Sequence, residues 1–457
     1  MDETRELAAF VSGLRYEDLP PPLVAKAKML LLDHFGVSLF SSRTAWGKIA
    51  TKYANRFAAM PESTVYGQER KVAAEAAALA NGLCAHGYEL DDSAEGAYAH
   101  PGASVIPAAF ALGETLDSSG RDLITAMAAG YELIGRIGNV LGREGIRWHH
   151  PTCQLGAFGA TAAACRMLSL DEAQTLNALG IAGSMASGIM QFSDETEGTM
   201  VKRFHGGWPA HSGVIAARLA ADGFTGPSQV LEGRYGYLRT ITDKFEVSGL
   251  TKDLGTTWTI MTTAIKLYAS CRAFHPMIEA IEKLKKEHQI GADVIDRIRV
   301  ATTEVVMSKQ ITYEPKSLMG AQYSLPFVAA MSVHRDLSDI RCFDEDAMND
   351  KLVLATAKRV DAFVDAEVDQ AYPRYVAKVT MTTKDGRELR QDVWDAKGSS
   401  LRPAPDLEMV KKFSSLTEGI ITGDHAVVDQ VGGLDKGSSL AALGAALRST
   451  AQPPAYT

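Results

Sequence analysis

Apolar side chains recur at helical spacing from residue 1 to about residue 266, which predicts one helix after another. In residues 22–40, for example, Val24, Ala27, Leu31 and Phe35 lie near a 3.6-residue period. Further helices are predicted over residues 72–86, 103–113, 122–140, 155–167 and 170–190, several of them rich in Ala and Gly. Small residues let helices approach closely, so these segments are expected to form the middle of a bundle.

The pattern changes after Lys266. Alternating, β-branched stretches predict strands over residues 294–306, 360–364, 376–382 and 388–393, with helices over residues 275–288, 324–335 and 344–357. The chain becomes helical again over residues 406–447. The sequence therefore predicts a mainly α protein, in which a smaller α+β domain (residues 267–401) is inserted into a large all-helical domain (residues 1–266 and 402–457).

Composition and net charge argue against several functional classes of protein. The 457 residues contain 47 Lys+Arg and 55 Asp+Glu, a net charge of −8, which argues against a nucleic-acid partner. The acidic first residues predict no secretory signal, and no apolar run is long enough to predict a membrane span. Five cysteines without a C-x-x-C pair argue against a disulfide scaffold, a zinc ribbon or an iron–sulfur cluster. We therefore expect a cytoplasmic protein.

Polar groups that interrupt the apolar pattern are the candidates for chemistry. Glu89, Asp91, Asp92 and Ser93 follow an alanine-rich helix, and His100 comes shortly after them. Carboxylates this close repel one another, so burial would raise the pKa of at least one. The same residues also fit a solvated loop that caps the next helix.

Histidines and cations form the other candidate clusters. His149 and His150 precede a proline and suit metal binding or proton transfer, but they also fit a loop with one buried imidazole. No H-x-x-x-H or H-E-x-x-H spacing occurs, so no metal is predicted. Lys202, Arg203 and His205 suit a small anionic substrate; the alternative is a turn followed by a helix with surface cations.

A second set of cations lies at the predicted domain junction. Lys266, Arg272 and His275 cluster there, where pockets are frequent, although a charged linker would look the same. Tyr323 precedes a predicted helix and is a candidate proton donor, or else a satisfied core residue.

Several motifs are missing, and their absence narrows the chemistry. The sequence has no G-x-G-x-x-G after a strand, no G-x-x-x-x-G-K-[ST] and no G-x-S-x-G. Nucleotide binding and serine hydrolysis are therefore disfavoured. The inventory of Lys, Arg, His, carboxylates and a Tyr suits acid–base chemistry on a polycarboxylate, with cations stabilising an enolate-like intermediate and no organic cofactor.

A series of motifs in one order resembles the MmgE/PrpD family over nearly the whole chain. The motifs are Asp91-Asp92-Ser93, His100-Pro101-Gly102-Ala103, Ile106-Pro107-Ala108-Ala109, His150-Pro151-Thr152, Gly180-Ile181-Ala182-Gly183-Ser184, Lys202-Arg203-Phe204-His205-Gly206-Gly207-Trp208, Gly223-Phe224-Thr225-Gly226-Pro227, Val230-Leu231-Glu232-Gly233 and Gln322-Tyr323-Ser324-Leu325-Pro326. Three departures stand out. Glu89 occupies a position where many members have Asp, residues 94–99 have their own sequence with an added acid, Glu95, and Ala269 occupies a position where Pro is frequent.

The resemblance implies a helical domain with a smaller α+β lid, a homodimer, a pocket between domains, and catalysis without a metal or an iron–sulfur cluster. Carried over by position, it implies proton transfer by His100 and His150, with Asp91 and Tyr323 as further catalytic candidates. It implies substrate binding by the remaining matched residues: Ser93, Lys202, Lys266 and His275.

Family members include 2-methylcitrate dehydratase, cis-aconitate decarboxylase and iminodisuccinate epimerase. Three functions therefore stay open at this point. The first is a lyase, either dehydratase or decarboxylase, that acts on a small di- or tricarboxylate. The second is an isomerase that only moves a proton α to a carboxylate, and the third is a polycarboxylate-binding protein that has lost catalysis. Retention of His100, His150, Lys202, Lys266 and Tyr323 argues against the third.

Overall fold

A computed structural model describes residues 2–195, 199–371 and 373–448. The chain divides into two compact units. The helical unit comprises Met1–Met190, Met200–Thr263 and Pro405–Thr457, and the sheet unit comprises Gln191–Thr199 and Ala264–Ala404. The described residues form twenty α-helices and eight strands, so the predicted fold class, mainly α with a smaller α+β part, is confirmed.

The helical unit consists of thirteen described α-helices and short strands. Its helices are α1 (Glu3–Gly13), α2 (Pro21–Ser42), α3 (Ala45–Ala54), α4 (Ala74–Ala85), α5 (Gly102–Thr115), α6 (Gly120–Leu141), α7 (Pro151–Met167), α8 (Glu172–Met185), α9 (Val201–Ala221), α10 (Tyr237–Ile241), and, after the sheet unit, α18 (Asp406–Thr417), α19 (Asp424–Gly432) and α20 (Leu440–Leu447). Strands β1 (Ser63–Thr64) and β2 (Lys71–Val72) pair antiparallel, and β3 (Ser93–Ala94) is equally short.

Glycines allow the central helices of this unit to touch backbone to backbone. A Cβ on Gly82 of α4 would lie 2.7 Å from the Cα of Gly207 in α9, and one on Gly207 would lie 2.3 Å from the carbonyl oxygen of Leu79. Any larger residue would push the two helices apart. This crossing brings the end of α4 next to the start of α9, and both segments carry charged and imidazole side chains.

The sheet unit contains one four-stranded sheet in the order β6-β5-β7-β8. Its strands are β5 (Ile295–Thr302), β6 (Val360–Val364), β7 (Ala377–Thr383) and β8 (Glu388–Val393); β5 pairs parallel to β6 and antiparallel to β7, and β7 pairs antiparallel to β8. Residues alternate between buried and half-buried along β7, as expected for a strand with one face on a core.

Helices cover this sheet and connect its strands. They are α11 (His275–His288), α12 (Glu304–Lys309), α13 (Leu318–Gln322), α14 (Leu325–His334), α15 (Glu345–Asn349), α16 (Lys351–Ala357) and α17 (Ala366–Gln370), of which α11 contacts β7 and β8 and α14 contacts β6. The short strand β4 (Thr263–Ala264) lies where the chain leaves the helical unit.

Two local expectations from the sequence were wrong, and one alternative that the sequence left open does not apply. The alternation of residues 294–306 predicted one strand, but β5 ends at Thr302 and α12 follows, because the side chain of Thr303 accepts from the backbone N–H of Val306 and caps the helix. Residues 344–357 form α15 and α16, because the side chain of Asp350 caps a new helix start. The stretch that starts at Lys202 does not form a turn before a helix, since α9 runs through it without a break.

Candidate active site

The loop between α4 and α5 carries most of the predicted polar residues of the helical unit. His86 is the C-cap of α4, and His100 lies two residues before α5. Glu89 adopts a left-handed backbone conformation with φ 55°. This conformation costs a non-glycine residue on the order of 1–3 kcal/mol, and such strained positions cluster at functional sites.

Asp91 connects two imidazoles in this loop. Its Oδ2 lies 2.7 Å from Nδ1 of His86 and 3.4 Å from Nδ1 of His100. Nδ1 of His100 also lies 2.6 Å from the backbone carbonyl of Asp92, which can only accept, so this nitrogen carries a proton. An ionised Asp91 likewise requires a proton on Nδ1 of His86. In their neutral forms both rings therefore carry the lone pair on Nε2, as a general base requires.

Two further imidazoles extend the cluster. His150, the N-cap of α7, stacks on His86 with ring centroids 5.4 Å apart. Its Nδ1 lies 3.2 Å from Nδ1 of His205 in α9, so one of these nitrogens donates and the other accepts. The backbone N–H of His100 donates to the hydroxyl of Thr152 in the first turn of α7, which ties the loop to that helix. The four buried or half-buried imidazoles therefore form one contiguous group.

Lys202 supplies a buried cation beside these rings. Its ammonium forms an ion pair with the Glu89 carboxylate, and the two side chains are 1% and 0% exposed. Arg203 follows it; its Nε donates to the carbonyl of Gly87 at 3.2 Å, and its guanidinium lies over the ring of Trp46. Both cations thus contact the segment between His86 and Glu89.

Asp92 is the carboxyl group of this loop whose pKa burial raises most clearly. Its Oδ2 accepts from the Tyr131 hydroxyl at 2.6 Å, and Oδ1 accepts from the backbone N–H of Gly102 at 3.0 Å. Burial, aided by the neighbouring charge of Asp91, raises the pKa of Asp92 to about 7 despite these hydrogen bonds. The sequence-based expectation of a raised carboxyl pKa in this loop therefore applies to Asp92.

Burial lowers the pKa values of the imidazoles, whereas it raises the pKa of Asp92. Burial lowers the pKa of His205 to about 4, and the charges of His86 and Lys202 add to this effect. Burial, followed by the charges of His86 and Lys202, holds the pKa of His150 well below its ordinary value. Burial also lowers the pKa of His86, although Asp91 opposes the shift. At neutral pH these rings are therefore neutral, and an anion that entered beside them would favour their protonation.

A layer of charged groups lies behind the loop. The ammonium of Lys412, on α18, forms an ion pair with Asp33 of α2 and donates to the carbonyl of Leu90 at 3.2 Å. Next to Asp33, burial lowers the pKa of His34 to about 3. The loop between α4 and α5 is thus bound by α18, a helix that follows the sheet unit in the sequence.

The remaining predicted residues belong to the sheet unit. Lys266 is buried next to β4, where the N–H of Ile265 donates to the carbonyl of Gly398 at 2.8 Å. His275 is buried at the start of α11, and its ring meets that of Tyr268 edge-on. Tyr323 is half-buried at the end of α13, and the N–H of Cys271 donates to the carbonyl of the preceding Gln322.

The structure thus places the predicted residues in two groups. Asp91, His100, His150 and Lys202 lie within one cluster of the helical unit, and Ser93 begins β3 directly after the two aspartates. Lys266, His275 and Tyr323 lie in the sheet unit.

Three groups could hold a metal ion: ligand atoms of His86, Asp91 and His100 lie within 4.8 Å of one another. When both Nδ1 atoms act as hydrogen-bond donors, a metal bound through them would have to displace their protons.

A cavity of about 830 Å³ also lies in the helical unit, between α2, α18 and α19. Val24, Leu32 and Met409 give it a largely apolar lining, and the ammonium of Lys28 at its edge already binds the Asp435 carboxylate. No histidine is among the described residues that line it. The acid–base groups are concentrated in the histidine cluster, which is therefore the candidate site.

The sequence analysis missed His86 as a site residue, and it did not predict that Glu89 pairs with Lys202 or that His205 contacts His150. Glu89 and His205 belong to segments that the sequence pattern marks, but nothing in the spacing assigns them partners. His86 ends an alanine-rich helix three positions before Glu89. The criterion that selects the other candidates, a polar group that interrupts an apolar run, would have found it.

Comparison with known proteins agrees with this architecture. Residues 5–249 match the MmgE/PrpD N-terminal domain, and residues 268–432 match the MmgE/PrpD C-terminal domain. The chain therefore belongs to the MmgE/PrpD family.

Similar proteins include a cis-aconitate decarboxylase-like protein of Aspergillus oryzae, 27% identical over 92% of each chain. Cis-aconitate decarboxylase of Aspergillus terreus is 28% identical over 96% of this chain and 94% of its own. The enzyme of the same name from Mus musculus is 25% identical over 92% and 88%. Within the described part of this chain, no helix has the length and apolarity that a membrane crossing requires.

Proposed function

We propose that the protein is a cofactor-independent lyase that acts on a small di- or tricarboxylate, and that it is a decarboxylase. The observation that carries the proposal is the buried cluster in which His86, His100, His150 and His205 surround Asp91 and Lys202. The cluster combines groups that move protons with a cation that binds carboxylates. The named relatives favour decarboxylation over dehydration.

The chemistry requires one bond to break and one proton to be delivered. In an unsaturated tricarboxylate, the bond between carbon and the departing carboxylate breaks, CO2 leaves, and the electron pair is delocalised towards a remaining carboxylate as an enolate-like anion. An imidazolium, His100 or His150, then protonates carbon and regains its proton from solvent. The negative charge of the bound substrate favours the protonated imidazole that this step needs.

The cations would hold the carboxylates that remain. We propose Lys202 and Lys266 as carboxylate-binding residues, with Ser93 and His275 as further substrate ligands and Tyr323 as a hydrogen-bond or proton donor. Because Glu89 already pairs with Lys202, a substrate carboxylate would share that ammonium. Glu89 would therefore influence how many negative charges the site accepts.

Proton NMR in D2O tests the proposal. The EDTA-treated protein is incubated with cis-aconitate, citrate, methylcitrate and iminodisuccinate in turn. Loss of one carboxylate with new vinyl signals is the expected result with cis-aconitate. Formation of a double bond from citrate or methylcitrate without CO2 release would establish a dehydratase. Deuterium entering an α-position of iminodisuccinate without change of skeleton would establish an epimerase, and silence across the panel would contradict an active lyase of this substrate class.

We also propose a cytoplasmic homodimer, as the family resemblance implies. Light scattering coupled to size-exclusion chromatography measures the mass directly. A mass of twice 49.1 kDa is expected, and a mass of one chain at micromolar concentration would contradict the dimer.

A further inference from the structure

His86 is fully buried yet makes a specific polar contact within the cluster. Its exposure is 0%, and α9 approaches it so closely that a Cβ on Gly206 would lie 2.7 Å from the Cβ of His86. Its Nδ1 donates to Oδ2 of Asp91 at 2.7 Å, whereas Nε2 contacts no hydrogen-bond partner among the described residues. The ring is therefore held in place by packing and by one hydrogen bond.

That hydrogen bond acts on an oxygen that a second histidine shares. Oδ2 of Asp91 lies between Nδ1 of His86 and Nδ1 of His100. A buried carboxylate stays ionised only when donors satisfy it, because burial alone favours its protonated form. The donor from His86 thus keeps a negative charge next to His100.

We propose that His86 is a positioning residue of the reaction, which acts through Asp91 to hold His100 in the orientation and charge state that proton transfer needs. The inference rests on the proposed function and deepens it, since the sequence pattern and the family resemblance assign no role to His86. Removal of its donor would let Asp91 take up a proton, and His100 would then lose the adjacent anion that stabilises its imidazolium.

Other charged or titratable groups act on the same three residues, and all of them remain in the protein when His86 is replaced. They are Glu89 and Asp92 in the same loop, His150 at the start of α7, Lys202 and His205 on α9, Asp33 and His34 on α2, and Lys412 on α18. A change that occurs in a variant without the donor to Asp91, and not in a variant that keeps this donor, can therefore be assigned to the hydrogen bond between His86 and Asp91.

Two substitutions separate this role from simple packing. In His86→Asn the side-chain amide can reach the place of Nδ1 and donate to Asp91, whereas in His86→Gln the amide reaches the place of Nε2 and leaves Asp91 without its donor. His86→Gln is expected to lower kcat by about tenfold to a hundredfold with little change in KM. It should also move the His100 limb of the pH profile to lower pH. His86→Asn should retain most of the activity and the wild-type profile.

The control is His425→Gln, because the side chain of His425 is 87% exposed. Wild-type kinetics in both His86 variants would overturn the inference. So would an equal loss in both variants with an unchanged pH profile, since that result indicates packing alone.

A second measurement does not depend on turnover. The imidazole of His100, assigned by comparison with His100→Gln, is titrated by NMR in wild type and in both variants. We expect a lower His100 pKa in His86→Gln and the wild-type pKa in His86→Asn. An unchanged pKa in His86→Gln overturns the inference even if the enzyme is active. The expected shift in a protein that turns over no substrate would confirm that His86 acts on His100 through Asp91 and would reject the proposed function.

Discussion

Glu89 and Lys202 form an ion pair whose side chains are 0% and 1% exposed. The backbone of Glu89 has a positive φ at this position. A buried carboxylate and a buried ammonium stabilise each other, because each replaces interactions with water that the other has lost. Removal of either residue would leave the charge of the other buried without its ion-pair partner. The pair therefore fixes both the local backbone and the electrostatic field of the site.

The first prediction concerns the mutual dependence of these charges. Glu89→Gln should lower the free energy of unfolding by about 3–5 kcal/mol, because the Lys202 ammonium stays buried without its anion. The double variant Glu89→Gln/Lys202→Met should lose clearly less than the sum of the two single changes. Urea denaturation at constant pH measures all three.

The matched control is the exposed pair Arg390–Glu388, whose side chains are 72% and 54% exposed. Glu388→Gln should change the unfolding free energy by at most about 1 kcal/mol. Additive losses in the Glu89 and Lys202 cycle would show that the two charges do not stabilise one another.

The second prediction is a pH dependence of stability that arises from Asp92. Its pKa is 3.8 in the unfolded chain and about 7 in the fold, so the folded protein binds this proton more tightly. The contribution to stability is therefore fully present below pH 3.8 and is lost as the pH rises through about 7.

Asp92→Asn removes this titration. The stability difference between wild type and Asp92→Asn should fall as the pH rises from about 4 to about 7, by up to about 1.4 kcal/mol per pH unit. Thermal unfolding at several pH values measures it, with the exposed Asp222→Asn as control. A difference that stays constant over this range would mean that Asp92 titrates normally in the fold.

The third prediction concerns Arg136, a buried arginine that binds the segment preceding the sheet unit. Arg136 of α6 pairs with Glu132 at 2.7 Å and donates to the carbonyls of Leu250 and Lys252 at 3.3 and 2.6 Å. Arg136→Lys keeps the charge but cannot make these bonds together.

We expect Arg136→Lys to lower the free energy of unfolding by about 1.5–3 kcal/mol and to speed hydrogen exchange in residues 250–259. Arg70→Lys, at an exposed position, is the control. Unchanged exchange in that segment would show that Arg136 does not restrain it.

The fourth prediction tests Lys266 as a carboxylate-binding residue. Lys266→Ala should raise KM by at least about tenfold while kcat changes much less, because a lost ground-state contact weakens binding. Steady-state kinetics with the substrate found by NMR measures both constants, and Lys384→Ala, exposed in the turn between β7 and β8, is the control. A normal KM with a collapsed kcat would place Lys266 in the chemical step instead.

The sequence was sufficient to predict most of the long helices, the fold class and the family, because apolar periodicity and local motifs are properties of short segments. It did not predict that α9 runs unbroken through Gly206, Gly207 and Pro209. Those residues usually indicate a turn, but in α9 Gly206 and Gly207 lie directly against Gly82 and Leu79 of α4. Partners distant in sequence decide such positions.

The same limit applies to the candidate site. The carboxylates and imidazoles were recognisable as groups that interrupt an apolar pattern, but their pairings were not. Glu89 contacts Lys202 because α4 crosses α9 at Gly82 and Gly207, and no spacing rule encodes that crossing. His86 contacts Asp91 within the loop between α4 and α5, where the conformation of the loop decides the pairing. The roles of Lys266, His275 and Tyr323 stay predictions that rest on the family resemblance.

The most direct test of the account compares turnover in His150→Ala with turnover in His425→Ala. His150 lies at the centre of the cluster, stacked on His86 and next to His205. If it transfers a proton, kcat/KM for the substrate found by NMR should fall at least about a hundredfold in His150→Ala, while the circular dichroism spectrum remains that of the folded protein. His425→Ala should match the wild type. A His150→Ala variant that turns over substrate at the wild-type rate would contradict the assignment of the chemistry to this histidine cluster.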